Sequence, residues 1–327
     1  MMTIRYYLFA IHPIVYTILL LPAVIVSSIS TGGLWRWVRG GEYMTREGLA
    51  VYEFGGRDVI HFLNTRSEDA ILLESDGHFA LIDAAEHSRP GADGQPAGGH
   101  ERYIIDYIQR VAGGNLDFVL ATHPHIDHMG GFRTILRADG ITVGRAYARP
   151  GESRYHAELA EACAEKGIEL IQEGLDGLQF TLGNMRLTIL NGGPDDPRAG
   201  VNGNSMCLLV ECNGSNALLA ADTNYASDTE MRLADAVGGR LDLLKVGHHG
   251  YDGSNGPVYL ARLRPATAVY TNIYDWININ VKRRFALVSN TTQLCTGDFG
   301  GIAAVFGAGG VGYYAIGEYP SGIGGME

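Results

Sequence analysis

The chain has 327 residues, 46% of them hydrophobic, with a formal net charge of −11 and a sequence pI of about 5.4. That apolar content excludes an intrinsically disordered chain, and the acidic excess argues against a protein that grips duplex nucleic acid along its phosphates. Its 45 glycines against 11 prolines fit short strands joined by tight turns better than a long-helix protein.

From Tyr6 to Ile29 the chain carries no charged residue apart from His12, an ordinarily neutral side chain at pH 7. A run of that length is enough to span a bilayer as a hydrophobic helix. Arg5 supplies a short positive flank and Ser28-Ile29-Ser30 a cleavage-like set of small residues, so a retained signal anchor is favoured over a cleaved signal peptide. Trp35 and Trp37 suit an interfacial belt, while Arg36 and Arg39 beyond the run leave the orientation open. Residues 1–45 therefore read as address and linker and 46–327 as one globular domain. The protein is expected outside the cytoplasm, membrane-anchored or secreted, with the membrane as a partner through this segment. Cys163, Cys207, Cys212 and Cys295 form no C-x-x-C pair. Buried thiols are the first reading, and one disulfide stays open in an exported chain.

After Gly48 the pattern turns to short strands, at Leu49–Phe54, Val59–Leu63, Ala70–Leu73 and Phe79–Ile82, with Ser75-Asp76-Gly77 marking a hairpin between the last two. Tyr103, Ile104, Tyr107, Ile108 and Val111 recur at helical spacing, and Phe118-Val119-Leu120 reads as a buried strand. A helix over His156–Lys166 leads to strands near 169–171, 178–182 and 185–190. A second hairpin turns at Asn213-Gly214 between strands at 206–211 and 216–221. A helix near 229–236 and a strand at 241–246 follow. Lys282-Arg283-Arg284, the one dense basic spot, reads as a solvated turn. Two blocks of strands with interspersed helices predict an α+β layered sandwich, two sheets face to face with helices outside.

The chemistry concentrates in Thr122-His123-Pro124-His125-Ile126-Asp127-His128-Met129-Gly130-Gly131, just beyond an apolar strand. Imidazole and carboxylate donors suit zinc, with manganese or iron where carboxylates contribute. The alternating His123 and His125 can face one ion while Asp127 and His128 turn toward another, so two divalent ions are expected, zinc first and manganese as the alternative.

This run resembles the signature of the metallo-β-lactamase superfamily, and residues 50–318 follow that family's order. The resemblance implies an αββα sandwich. It also implies that Asp83, in Leu81-Ile82-Asp83, orients ligands, that Asp222 bridges both ions, and that His249, in His248-His249-Gly250, completes the second. One departure narrows the likeness. Many members carry a further histidine ligand between the cluster and the bridging aspartate, whereas this chain has no histidine from 157 to 247 and places Asn202-Gly203-Asn204-Ser205 before the strand. That pattern is similar to the hydrolase domain of ComEC-type DNA-uptake proteins and to bacterial surface phosphorylcholine esterases. The esterase likeness extends to Ile60–Asn64, Asp69–Leu73 and Phe79–Asp83, and more loosely to Ala164–Gly167 and Asp242–Lys245, without choline-binding repeats.

The resemblance implies metal-assisted hydrolysis, a water acidified between the ions attacking phosphorus. Asp127 assists proton movement in addition to binding metal. His248 either contacts the phosphate or leaving group or packs in the core, and Asn204 either supports a water or substrate oxygen or serves a turn. Tyr251, Tyr274 and Trp276 either cage a quaternary ammonium or simply pack. The leading expectation is an extracytoplasmic phosphodiesterase acting on a small head group or cell-envelope polymer, with no stable nucleic-acid partner. A ComEC-like nuclease ranks second, since the charge is acidic and a channel domain is missing. A non-catalytic metal-binding surface protein ranks third, because structural sites are closed and this one keeps open positions.

Overall fold

The structure, a computed structural model, describes residues 42–43, 48–55, 57–90, 96–288 and 291–320. The apolar run at 6–29 lies outside them. Among the described residues no helix is long and apolar enough to cross a membrane.

In chain order the first half gives β1 (Glu42–Tyr43), β2 (Val59–Phe62), β3 (Ile71–Ser75), β4 (His78–Ile82), a short pair β5 (Arg89–Pro90) and β6 (Pro96–Ala97), and α1 (Glu101–Ala112). Then come β7 (Asn115–Ala121), α2 (Ile126–Met129), α3 (Phe132–Arg137), β8 (Thr142–Ala148), α4 (Arg154–Lys166) and β9 (Glu169–Ile171). The second half gives β10 (Gln179–Leu182), β11 (Met185–Leu190), α5 (Gly200–Gly203), β12 (Cys207–Cys212), β13 (Ser215–Leu219), α6 (Thr229–Val237) and β14 (Leu243–Lys245). It closes with α7 (Pro257–Leu263), β15 (Thr267–Tyr270), α8 (Ile279–Val288), β16 (Thr292–Cys295), α9 (Thr296–Phe299), β17 (Ile302–Gly307) and β18 (Gly310–Ala315).

Local chemistry sets these boundaries. Asp76-Gly77 and Asn213-Gly214 both take positive φ at their two central positions, the geometry that matches strand twist in a two-residue hairpin. α4 starts where the Ser153 side chain accepts the His156 amide and stops at left-handed Gly167.

One eight-stranded sheet runs β1-β16-β15-β14-β13-β12-β11-β10 and the other β18-β17-β2-β3-β4-β7-β8-β9. Phe62, Leu73, Leu120, Leu187, Leu208 and Leu294 belong to the apolar layer that both sheets share. A second cluster joins Ile104, Ile108, Phe132 and Leu159 of α1, α3 and α4 to the outer face of the second sheet, and a third joins Leu233, Leu260 and Phe285 of α6, α7 and α8 to the outer face of the first. The layering is helix, sheet, sheet, helix, and each fully buried Leu or Phe contributes roughly 1.5–3 kcal/mol by leaving water.

Three expectations need correction. Residues 49–54 form no strand: Val51 alone bridges to Ala315, and Val51 and Phe54 point outward, 69% and 46% exposed. Tyr52 is buried and Leu49 packs on the shared apolar layer, but the backbone pairing stops at the two hydrogen bonds that Ala315 makes with Ala50 and Tyr52. Glu42 and Tyr43, read as linker, pair in parallel with Thr292 and Gln293 and lengthen a sheet edge. The Lys282-Arg283-Arg284 run lies in α8, not in a solvated turn. Lys282 is buried with its ammonium 3.6 Å from the Tyr274 ring centroid, and Arg284 donates to Ser254 O and Asp252. All four cysteines are buried and none forms a disulfide.

Both sheets contain a parallel stretch, β4-β7-β8-β9 in one and β13-β14-β15-β16 in the other. Ligands of open α/β sheets bind just beyond the carboxyl ends of such strands. Here those ends deliver Asp83 after β4, Thr122–His128 after β7, Asp222 after β13, His248 and His249 after β14, and Thr271 after β15.

Candidate metal centre

The chain leaves β7 at Ala121, and Thr122 starts the loop that carries the histidines. Asp83 anchors that loop from the neighbouring strand: it accepts the Thr122 amide at 2.8 Å, the Thr122 hydroxyl at 2.7 Å and His128 Nδ1 at 2.7 Å. With the Thr122 proton given to Asp83, the Thr122 oxygen is left to accept from His123 Nδ1 at 3.1 Å. His249 Nδ1 lies 3.0 Å from Thr271 Oγ1, which itself donates to Asp69 at 2.6 Å. In each of these three imidazoles a proton is thus held on Nδ1, which leaves Nε2 as the atom that can bind a metal once it sheds its own proton.

Those Nε2 atoms converge. His128 Nε2 and His249 Nε2 are 3.2 Å apart, each 3.2 Å from Asp222 Oδ1, with Asp127 Oδ2 at 3.8 and 3.5 Å from them. The other carboxylate oxygen, Asp222 Oδ2, faces His123 Nε2 at 3.6 Å, and His123 Nε2 is 3.1 Å from His125 Nδ1. Two donor groups result, Asp127-His128-Asp222-His249 and His123-His125-Asp222, and Asp222 belongs to both. Asp222 Oδ1 is buried and accepts no hydrogen bond among the described residues. A buried carboxylate of that kind, with imidazole Nε2 atoms around it, is costly without positive charge beside it, so this donor set fits a pair of divalent ions.

The charges agree. Burial resists ionisation of Asp222, yet His128 and His249 hold its carboxyl well below the usual range. Burial likewise resists protonation of His128, and the Asp222 and Asp83 carboxylates overcome it, so its pKa stands well above the ordinary value. His249, against the same burial, is raised to about 9 by Asp222 and Asp69. His123, with burial dominant and His128 nearby, is pushed well down. The field that suits a divalent ion therefore draws protons onto His128 and His249. Because these sites must shed protons to bind metal, zinc affinity is expected to fall as pH drops below about 9, with protons released at pH 7. Zinc titration calorimetry at pH 7 in two buffers of different ionisation heat checks this; identical heats would contradict it.

The structure brings together His123, His125, Asp127, His128, Asp222 and His249, with Asp83 behind His128. His248 sits at the rim, its Nε2 3.8 Å from Asp222 Oδ2 and 3.1 Å from the Asn202 amide nitrogen. Asn204 is not beside it. Both polar atoms of the Asn204 side chain bond the Asp196 backbone, at 2.9 and 3.0 Å, because this amide closes the 196–204 loop. Asn202, two residues earlier, is the amide at the site, and its Oδ1 is buried without a hydrogen-bond partner among the described residues. Tyr251 stands beside His248 with ring centroids 5.5 Å apart. Tyr274 and Trp276 do not join it in a cage: Lys282 covers one ring and Arg66 lies 5.8 Å over the other, so each already has a protein cation on it.

The sequence reading missed four supports. Asp69 and Lys245 form a buried ion pair under His249, Thr271 fixes that imidazole, and Arg149 braces the 191–204 loop through the carbonyls of Asn191, Gly193 and Asn204. The one visible signal was Lys245 itself, a charge inside an otherwise apolar strand. Beside His123, a pocket of about 170 Å³ opens between Pro124, Arg149, His156, Asp195 and Val201.

A family model described as the metallo-beta-lactamase superfamily matches residues 63–271. The chain is 25% identical over 173 residues to ComE operon protein 3 of Bacillus subtilis, and 31% identical over 177 residues to competence protein ComA of Neisseria gonorrhoeae. Each alignment takes in 52% of this chain but only 21% and 23% of those proteins, so the chain spans less than a quarter of either. A UPF0173 metal-dependent hydrolase of Heliobacterium modesticaldum is 29% identical over 188 residues, 54% of this chain and 74% of that one. Among solved structures, the metallo-beta-lactamase fold protein YhfI from Bacillus subtilis superposes with a TM-score of 0.50 at 12% identity, covering 73% of this chain and 96% of YhfI. That likeness concerns the fold alone.

Proposed function

Because the chain belongs to the metallo-β-lactamase superfamily, we propose that it is a metal-dependent phosphodiesterase acting outside the cytoplasm on a phosphorylated head group or envelope polymer. The observation that carries this reading is Asp222, whose two oxygens face two separate donor groups. A pair of ions sharing that carboxylate would suit in-line displacement at phosphorus, where attacking and leaving oxygens both need charge stabilisation. His123, His125 and Asp222 would hold one ion, and Asp127, His128, Asp222 and His249 the other; bound there, they supply Lewis acidity and an acidified water.

The chain's own residues do the rest. Asp83, Thr122, Thr271 and Asp69 hold the imidazoles in one tautomer and one orientation. His248, its pKa lowered mainly by burial, is a neutral imidazole at the rim, able to exchange a proton with a leaving group. The unpartnered oxygen of Asn202 is a ready acceptor for a substrate hydroxyl or a water. The pocket beside His123 seats the group attached to phosphorus. Since Tyr274 and Trp276 carry protein cations, the reading does not extend to choline recognition by an aromatic cage. The apolar run at 6–29 supports placement at a membrane.

A second reading, cleavage of single-stranded DNA, draws on the likeness to ComE operon protein 3 and competence protein ComA. One panel separates the two. The full chain, with zinc or manganese, is offered p-nitrophenyl phosphorylcholine, bis-p-nitrophenyl phosphate and single-stranded DNA. Small-diester turnover is expected; DNA cleavage without it would overturn the phosphodiesterase assignment in favour of the nuclease.

A further inference from the structure

His248 and His249 occupy a backbone that only a strong brace sustains. The turn Gly247–Gly250 places both histidines in the left-handed region, at φ 52° and 49°, where a side chain costs roughly 1–3 kcal/mol. Ala221, which accepts the His248 amide at 3.0 Å, is left-handed as well. Room is scarce on the other side: a Cβ on Gly247 would lie 2.8 Å from Thr223 O, and one on Gly250 would lie 2.7 Å from the Tyr270 ring.

The brace is Asn255, fully buried. Its side-chain oxygen accepts the Gly247 amide at 3.1 Å and its side-chain nitrogen donates to Gly247 O at 2.9 Å, so one amide clamps the N–H and the C=O of the same residue, and with them the peptides on either side of it. Asn255 is in turn held by Glu230 of α6. The Glu230 carboxylate accepts the Asn255 backbone amide, and it accepts the Gly256 amide at 2.8 Å. The preceding residue reaches the opposite lip: Thr229 Oγ1 donates to Gly203 O at 3.1 Å, next to Asn202. The first turn of α6 thus grips both loops whose side chains meet at the His248–Asn202 contact.

We propose that Glu230 is a positioning residue for the metal centre, holding the His248–His249 turn in its strained conformation through Asn255 and Gly247 while touching neither ion nor substrate. The idea rests on the hydrolase reading, but it makes demands that need no substrate. Two N–H groups point at the carboxylate, so its ionised form satisfies both, whereas a protonated or amide form turns a donor against one of them. Burial opposes ionisation against those two bonds and Arg284, leaving the group with a pKa of about 7. The charged and titratable groups facing it are Arg284 from α8 and the buried Tyr259 phenol from α7, with Tyr225 beneath the Arg284 guanidinium on its own loop. The sign follows. This raised carboxyl contributes stability below its ordinary 4.5 that is lost as pH rises through about 7, while its grip on the turn strengthens over the same range.

The test compares the full chain with Glu230→Gln and Glu230→Asp. Amide hydrogen exchange over 247–250 and zinc affinity are read first, then activity against pH on whichever diester the wild type turns over. Glu230→Gln is expected to speed exchange of that turn and to weaken zinc about tenfold, in the range for groups that orient ligands. Its activity deficit should widen as pH rises through about 7, because only the wild type gains the second acceptor; a merely structural role would lower activity evenly. Glu230→Asp, which keeps the charge with a shorter reach, should recover part of each effect and serves alone if the amide variant does not fold. Wild-type exchange and zinc affinity in the folded variant would overturn the proposal. Failure of every substrate would instead count against the hydrolase reading and leave exchange and zinc binding to decide this one.

Discussion

The Asp222→Asn variant is expected to lose diester hydrolysis by roughly a thousandfold or more, about 4 kcal/mol of barrier at 1.36 kcal/mol per factor of ten. The amide matches the carboxylate in shape but not in charge, and one of its two ends becomes a donor. Asp222 Oδ1 faces His128 and His249 at 3.2 Å, and Oδ2 faces His123 at 3.6 Å, so any amide orientation turns N–H groups toward one of the two sites. One ion would lose a ligand outright, and both would lose the anion between them. The check is metal content and turnover measured on the same preparation, with thermal unfolding before and after zinc. Wild-type protein should gain stability with zinc, by about 2.7 kcal/mol at a hundredfold excess over the dissociation constant. If the variant gains as much and binds two ions, Asp222 is not the bridge.

The Lys245→Met variant is expected to destabilise the metal-free protein by roughly 3–5 kcal/mol, a fall in melting temperature on the order of 10 °C for a chain of this size. Lys245 is fully buried in β14, paired with Asp69 and donating to Ala221 O at 2.9 Å. Methionine preserves most of the packing but strands the Asp69 carboxylate, whose pKa is held low against burial chiefly by this ammonium. Removing the anion as well, in Lys245→Met with Asp69→Asn, should recover a substantial part of the loss, since the penalty belongs to the unpaired charge. Thermal unfolding of the singles and the double closes the cycle. A single variant melting within about 2 °C of wild type would show that solvent reaches the pair, against the burial on which the argument stands.

Much of this molecule is legible from its residues because the signals are local. Asp76-Gly77 and Asn213-Gly214 dictate their hairpins, and the His123–His128 run is dense enough to announce a metal centre by itself. Asp83 and Asp222 are individually ordinary and gain meaning only from their order along the chain and their position after strands. What was not legible depends on distance. Asp69 meets Thr271 across 202 positions, and no spacing rule connects them. Asn204 and Asn202 are equally plausible amides in sequence; the choice is made by Asp196, which captures one and leaves the other by His248. Tyr274 resembled a cage wall because the fold had not yet laid Lys282 across it. Leu49–Phe54 had the alternation of a strand and does bury Tyr52, but its backbone meets a partner only at Ala315.

The ligands also come from both halves of the sandwich. His123 to His128 follow β7 in one sheet, whereas Asp222 and His249 follow β13 and β14 in the other, and His128 and His249 are 121 residues apart in the chain. A cation held by these residues would clasp the seam between the sheets. It can close only after the halves have docked, so it contributes little to the folding transition state and is lost early in unfolding. Metal loading should therefore lengthen the lifetime of the folded protein while leaving its folding rate nearly unchanged.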